Sequence, residues 1–273
     1  MTPADWRVVL LHLRFPFVFV LSPIYVWGAW AAPGWSARTT LGFLLVHLAL
    51  YPGANAFNTA YDRDTGPIGG LARPPSVPRS LAVGSTALQA AGAALAPIVG
   101  WGFALAYVAL WAIFTAYSHP RTRWKRSPWL STPAIIVGQG GLGWFLGWSA
   151  AGGAWVPDER AGWSLVAACA AVAAFFPFTQ IYQREADAAR RDRTLAAALG
   201  VRGTFVLGAA AFLAIAACGR ALELPGLTAY SLVVALAATG MVAGGRTPSH
   251  GRVMMVSYAN SALLLAYMIV RWP

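Results

Sequence analysis

Nine apolar stretches, each long enough to cross a bilayer, leave this chain few architectures. They run over about 10–32, 39–61, 80–98, 101–118, 129–151, 161–182, 195–218, 226–244 and 253–271. Roughly twenty apolar residues at the helical rise cover the hydrocarbon core of a membrane. In that medium every backbone N–H and C=O must be satisfied inside the protein, and runs of this length do so as helices. The sequence therefore predicts an all-α polytopic membrane bundle of about nine transmembrane helices. At 58% hydrophobic and 11% charged residues, the chain is too apolar for an ordinary soluble domain. No linker or low-complexity stretch divides it, so 1–273 reads as one domain.

The cations fall on one side. Loops after the second, fourth and sixth runs carry Arg63, Arg73 and Arg79, then Arg121, Arg123, Lys125 and Arg126, then Arg184, Arg190, Arg191, Arg193 and Arg202. The opposite loops carry Arg38, Arg160 and Arg220. Because cytoplasmic loops collect Lys and Arg, the expected arrangement has a cytoplasmic N-terminus, in a bacterial inner membrane. This rule accounts for most of the net charge of +11, so nucleic acid is not an expected partner. The first run follows Asp5 and Arg7 with no clear small-residue cleavage site, and it reads as a retained span.

Two runs end in the same polar pattern. Pro52-x-x-Asn55-x-x-Asn58-x-x-x-Asp62 has its counterpart in Pro177-x-x-Gln180-x-x-Gln183-x-x-x-Asp187. Offsets of three and seven residues share one helix face, so each stretch presents two amides and a carboxylate as a stripe. Two facing stripes would make a polar pocket, built by an internal pseudo-repeat in which 39–64 and 161–192 carry equivalent motifs. Polar side chains are expensive in a membrane, which makes a functional site the default reading.

Of nine acidic residues in the chain, five are Asp62, Asp64, Glu185, Asp187 and Asp192. Carboxylates supported by amide oxygens suit a hard divalent cation such as Mg²⁺, with Asp62, Asp64, Asp187 and Glu185 as the candidate ligands. A charged loop cap would explain the acids alone, yet it leaves the doubled amide stripe without a reason. Mg²⁺ in turn implies a phosphate, and cations stand beside each cluster: Arg73 and Arg79 flank a Pro-rich turn after the first, and Arg193 follows the second. Arginines neutralising phosphate oxygens would stabilise charge as a diphosphate leaves. The loop Tyr117 to Arg126 contains Lys125, the one lysine of the chain, on the same face as both stripes.

Other signals weigh less. The Gly138-Gln139-Gly140-Gly141-Leu142-Gly143 run fits a dinucleotide fingerprint, but inside an apolar span it points to close helix packing. His47 reads as a hydrogen-bonded interior histidine, Cys169 and Cys218 as buried free thiols, and the thirteen Trp as an interfacial belt.

These motifs together resemble the UbiA-type superfamily of intramembrane prenyltransferases. The likeness rests on Asn58-x-x-x-Asp62-x-Asp64 ahead of Arg73-Pro74, on Gln183-x-x-x-Asp187 ahead of Arg193-Thr194, on Tyr117, Ser118, Pro120, Arg123 and Lys125, and on Arg14 and Pro16. It implies nine helices around a central cavity, with Mg²⁺ and a prenyl diphosphate bound by the two acidic motifs. Asn58, Arg73, Tyr117, Arg123, Lys125, Gln183 and Arg193 would hold the diphosphate, and Asp62, Asp187 and Lys125 would serve the ionisation step. Two family aspartates are replaced: one position falls on Gly66 and another on Gln183, where Asp64 and Glu185 are the nearby substitutes.

The leading expectation is a Mg²⁺-dependent transferase that moves a prenyl group to an aromatic or other lipophilic acceptor, with its active-site loops on the cytoplasmic side. A terpene cyclase acting without acceptor, and a lipid binder or transporter without catalysis, are the alternatives.

Overall fold

The computed structural model describes residues 3–189 and 192–271, with the backbone alone for 3–5. Arg190 and Arg191 lie outside the described residues. Among the described residues, eight helical stretches are long and apolar enough to cross a membrane. They are α1 (Trp6–Ala31), α2 (Ala37–Asp62), α3 (Leu81–Val99), α4 (Trp101–Ser118), α6 (Glu159–Ala189), α7 (Leu195–Ala221), α8 (Pro225–Gly244) and α9 (His250–Val270). Between α4 and α6, the segment 128–150, here α5, is helical throughout but consists of three consecutive pieces, Pro128–Ile135, Ile136–Leu142 and Gly143–Ala150. No strand forms among the described residues, and Ile68 and Leu71 make an isolated bridge.

Local chemistry sets the helix starts. Ser36 and Thr39 form a reciprocal capping box ahead of α2, while Asp158, Thr194 and Ser249 accept from backbone N–H groups at the starts of α6, α7 and α9. Each occupies donors that a first helical turn leaves orphaned. The outer faces are greasy: Val83, Leu236 and Val270 are 74%, 74% and 82% exposed. Such surface is a liability in water and natural against lipid tails, where small residues rather than large apolar ones bring helices together.

Glycines provide that approach between α1 and α5. A Cβ on Gly28 would collide with the carbonyl of Trp144, and one on Gly147 with the carbonyl of Tyr25. Trp144 is fully buried at this seam, donates to Ser164 Oγ at 2.9 Å and stacks on Trp148. The glycine run of α5 serves packing too: a Cβ on Gly140 would lie 2.8 Å from Cys169 Cα on α6. His47 Nδ1 bonds the carbonyl of Phe43 at 2.9 Å, and Cys169 and Cys218 are free thiols.

Four helix irregularities shape the interior. α1 breaks at Arg14, which adopts a left-handed conformation (φ 52°). α2 passes through a π turn at Val46–Leu50 just before Pro52. α5 has a π turn at Ile136–Leu142. α6 contains Pro177 and tightens into a 3₁₀ turn at Ile181–Gln183. Proline removes a backbone donor and crowds the carbonyl four residues earlier, and π turns re-aim side chains, so such breaks accompany functional sites.

Candidate active site

The two polar stripes meet. Asn55, Asn58 and Asp62 from α2 and Gln180, Gln183 and Asp187 from α6 line one cavity of about 210 Å³. The expected single helical face holds for α2; in α6 the 3₁₀ turn at Ile181–Gln183 re-phases the stripe, and all three side chains still reach the cavity. Arg14, Asp64, Tyr117, Ser118, Lys125 and Thr194 complete the polar end, while Ile24, Phe114, Ile135, Phe175, Phe176 and Leu264 wall the remainder.

At the polar end, acids and bases interlock. Lys125, 4% exposed, donates from Nζ to Asp62 Oδ1 and lies 4.0 Å from Asp192 Oδ2. Arg123 grips Asp192 with Nε at 3.1 Å and Nη2 at 2.9 Å, and its Nη2 is 3.5 Å from Asp62. Asp187 accepts from the hydroxyl of Thr194 at 3.1 Å, and its carbonyl accepts from the N–H of Asp192 at 2.9 Å. Asp192 and Thr194 are thus both bonded back to Asp187, and the same Thr caps α7. Arg14 donates to the carbonyl of Asn55 at 2.8 Å and to that of Gly69 at 3.4 Å, with Nε buried and unpartnered. The amides are held as well: Asn58 donates to Ser118 Oγ at 3.0 Å and Gln180 to Tyr117 Oη at 3.3 Å.

The loop between α2 and α3 folds back over this end. Ile68 and Gly69 line the cavity, and Gly69 lies on the ring of Phe17, leaving no room there for a Cβ. Besides Arg14, three contacts pin the loop: Gln183 donates to the carbonyl of Pro67 at 3.1 Å, His250 Nε2 bonds that of Ile68 at 2.9 Å, and the N–H of Gly70 meets Met254 Sδ at 3.3 Å.

Not every residue singled out in the sequence joins this wall. Arg73, Arg193 and Glu185 are exposed and are absent from the cavity lining, and Arg123 stands behind it, paired with acids. Glu185 and Asp187 are two residues apart on a short helix, a spacing that puts them on different faces. Conversely, Arg14, Ser118 and Thr194 are lining residues that received no site role from the sequence, and Asp192 closes the network without one. A lone arginine inside an apolar run was the signal available for Arg14; the pairing of Arg123 with Asp192, 69 positions away, left no local trace.

Hard oxygen donors (Asp62, Asp64, Asp187 and the amides) with no histidine or thiol among the cavity residues match Mg²⁺ in chemistry. Among the described residues no three such acidic, His or Cys side chains converge into a closed cage. That pattern agrees with an ion that keeps waters and takes further ligands from phosphate. Overall, cations and carboxylates at one end of an apolar, aromatic-walled chamber suit a molecule with a polyanionic head and a hydrocarbon body.

The fold and the cavity define an integral membrane protein with a chamber between its helices. The sequence model of the UbiA prenyltransferase family matches residues 20–268, and the chain belongs to that family. Among solved structures, a UbiA homologue from Archaeoglobus fulgidus is similar at 20% identity over 96% of this chain and 98% of that one, with a TM-score of 0.71. The same homologue bound to GPP and Mg²⁺ aligns at 21% identity with a TM-score of 0.73, over the same shares. A structure described as digeranylgeranylglyceryl phosphate synthase in membranes aligns at 13% identity, 97% and 98% coverage, and a TM-score of 0.64. No curated protein matches the chain.

Proposed function

We propose that this protein is a Mg²⁺-dependent intramembrane prenyltransferase that moves a prenyl group from a polyprenyl diphosphate to an aromatic or other lipophilic acceptor. The observation that carries the reading is the convergence of both stripes, Lys125 and Tyr117 on one cavity whose other walls are mostly apolar. Solved relatives bound to GPP or DMAPP with Mg²⁺ add support through their shared fold. The two motif-bearing segments act as matching halves of the head-group site, which opens toward the cytoplasm.

Asp62, Asp64 and Asp187 would hold Mg²⁺, with Asn58 and Gln183 beside them. When bound, the ion neutralises the diphosphate and helps it depart. Lys125 and Arg14 add positive charge at the cavity wall, where hydrogen bonds to phosphate oxygens are strong because both partners are charged. Arg123 positions Lys125 and Asp62 by occupying Asp192. Arg73, Arg193 and Glu185 have no lining role in this arrangement. In the reaction the bond from C1 to the bridging oxygen breaks, and diphosphate leaves with the electron pair. The allylic cation is then captured by the acceptor, which releases a proton to water. Phe114, Phe175 and Phe176 line the chamber, where aromatic rings would shield that cation from water.

The test is turnover of purified protein with prenyl diphosphates of graded length, with and without aromatic acceptors. Acceptor-dependent diphosphate release and a prenylated product are expected, and Asp187→Ala should abolish release while the protein stays folded. Unchanged turnover in that variant would remove the site assignment. Hydrocarbon formed without acceptor would redirect the chemistry to cyclisation, and binding without any release to a carrier role.

A further inference from the structure

The apolar part of the cavity is not uniformly apolar. Tyr51, Gln139 and Asn260 line it from three different helices, α2, α5 and α9. Counting along those helices gives a common depth. Tyr51 precedes Asp62 by eleven residues, Gln139 follows Pro128, the first residue of α5, by eleven, and Asn260 follows the loop-pinning His250 by ten. At the helical rise each lies about 15–17 Å from the polar end. Three hydrogen-bonding side chains therefore sit at one level, deep in the bilayer.

None of the three has its hydrogen bonds filled. Tyr51 is 2% exposed, and its hydroxyl has no partner; it rests over Gly143, where a Cβ would stand 2.9 Å away. Gln139, half-buried, lies one turn before Gly143 on the same helix and opens its amide to the cavity with no hydrogen bond to the described residues. Asn260, 9% exposed, accepts from the hydroxyl of Tyr230, which leaves its NH₂ group available to the cavity. A buried hydroxyl without a partner is costly, and ionisable or polar groups at this depth mark ligand sites.

We propose that Tyr51, Gln139 and Asn260 form a second polar subsite that takes a neutral oxygen function, a hydroxyl or a carbonyl, of the lipophilic acceptor. The inference rests on the transferase reading for the ligand's role, but the subsite itself stands on these three side chains. The cations lining the cavity, Arg14 and Lys125, belong to the polar end, so the deep subsite has no charge to receive a carboxylate. Anchoring the acceptor by its oxygen at this level turns its far edge toward the diphosphate end, where the allylic carbon forms. The subsite thereby selects both which acceptor enters and which of its atoms faces the cation.

The probes are 2-naphthol, its methyl ether, 2-naphthoate and naphthalene, measured by equilibrium dialysis against the intact protein in lipid nanodiscs. Wild-type protein should bind 2-naphthol about 5- to 10-fold more tightly, relative to naphthalene, than the Tyr51→Phe and Gln139→Leu variants do, a range set by one or two modest hydrogen bonds. The methyl ether should lose part of that advantage and 2-naphthoate should show none. Tyr51→Phe keeps the ring, and binding of geranyl thiolodiphosphate by the same samples reports an intact fold and head-group site. Equal ratios in wild type and both variants would overturn the subsite. Failure of the wild type to bind geranyl thiolodiphosphate would instead remove the transferase reading, whatever the naphthol preference.

Discussion

Arg123 and Asp192 hold each other through two hydrogen bonds of 3.1 and 2.9 Å, with the aspartate side chain only 1% exposed. Asp192 follows the second motif and Arg123 belongs to the loop after α4, so this pair ties two distant segments of chain together. It also fixes the neighbours of Arg123. Lys125 and Asp62 lie within 4.0 Å of one or other member of the pair.

Breaking the pair should be felt in stability before chemistry. Removing Asp192 leaves Arg123 to share Asp62 with Lys125, and losing one partner of a buried pair costs at most about 3–5 kcal/mol. Asp192→Ala is therefore expected to lower the thermal midpoint of the detergent-solubilised protein clearly. An Arg123→Met, Asp192→Leu double variant should recover part of that loss. A single variant as stable as the parent would show that the pair holds nothing.

Lys125 should govern head-group affinity. A hydrogen bond to a charged group is worth about 1.5–3 kcal/mol, so Lys125→Gln is expected to weaken binding of geranyl thiolodiphosphate about 10- to 100-fold. Lys125→Arg should retain more of it by keeping the charge. Calorimetric titration of the three proteins checks the order; equal affinities would take Lys125 out of the diphosphate site.

The loop over the polar end is held by a few weak contacts, and each should be measurable. Arg79, followed by Ser80, is exposed at the end of this loop, within reach of trypsin. Loss of a typical hydrogen bond, about 1 kcal/mol, raises an open population roughly fivefold. His250→Ala and Gln183→Ala should each speed cleavage at Arg79 by about that factor, with no such change at Arg220 on the opposite loop. Identical cleavage rates would place the loop's anchorage elsewhere.

The seam between α1 and α5 should tolerate no side chain. At Gly28 an added Cβ meets the backbone carbonyl of Trp144, which cannot rotate away as a side chain would. Overpacking of this kind usually removes about 1–3 kcal/mol. Gly28→Leu is expected to cut the yield of folded protein and its unfolding temperature, whereas Gly84→Leu, at a position with open space, should do neither.

Much of this architecture was legible because lipid imposes a simple rule on sequence. The apolar runs at 39–61 and 226–244 correspond to Ala37–Asp62 and Pro225–Gly244 within a few residues, since length and hydropathy alone define a span. The stripes ending at Asp62 and Asp187 were legible for a similar reason: polar residues at helical spacing stand out against Leu and Ala. What escaped was anything made by the meeting of segments. Exposure of Arg73, Arg193 and Glu185, the Arg123–Asp192 pair, and the shared depth of Tyr51, Gln139 and Asn260 depend on how helices rotate against each other. Interruptions such as the 3₁₀ turn at Ile181–Gln183 alter that rotation, and charge pattern carries no record of it.

The left-handed turn at Arg14 sets two demands on one position. A non-glycine residue in that conformation gives up about 1 kcal/mol or more of backbone comfort, so the main chain alone would favour glycine there. Glycine would relax the break in α1, yet it would leave the carbonyls of Asn55 and Gly69 without their donor and strip a cation from the cavity. Selection for a sturdier protein and selection for a working one therefore pull residue 14 in opposite directions, and the arginine found there marks which of the two has prevailed.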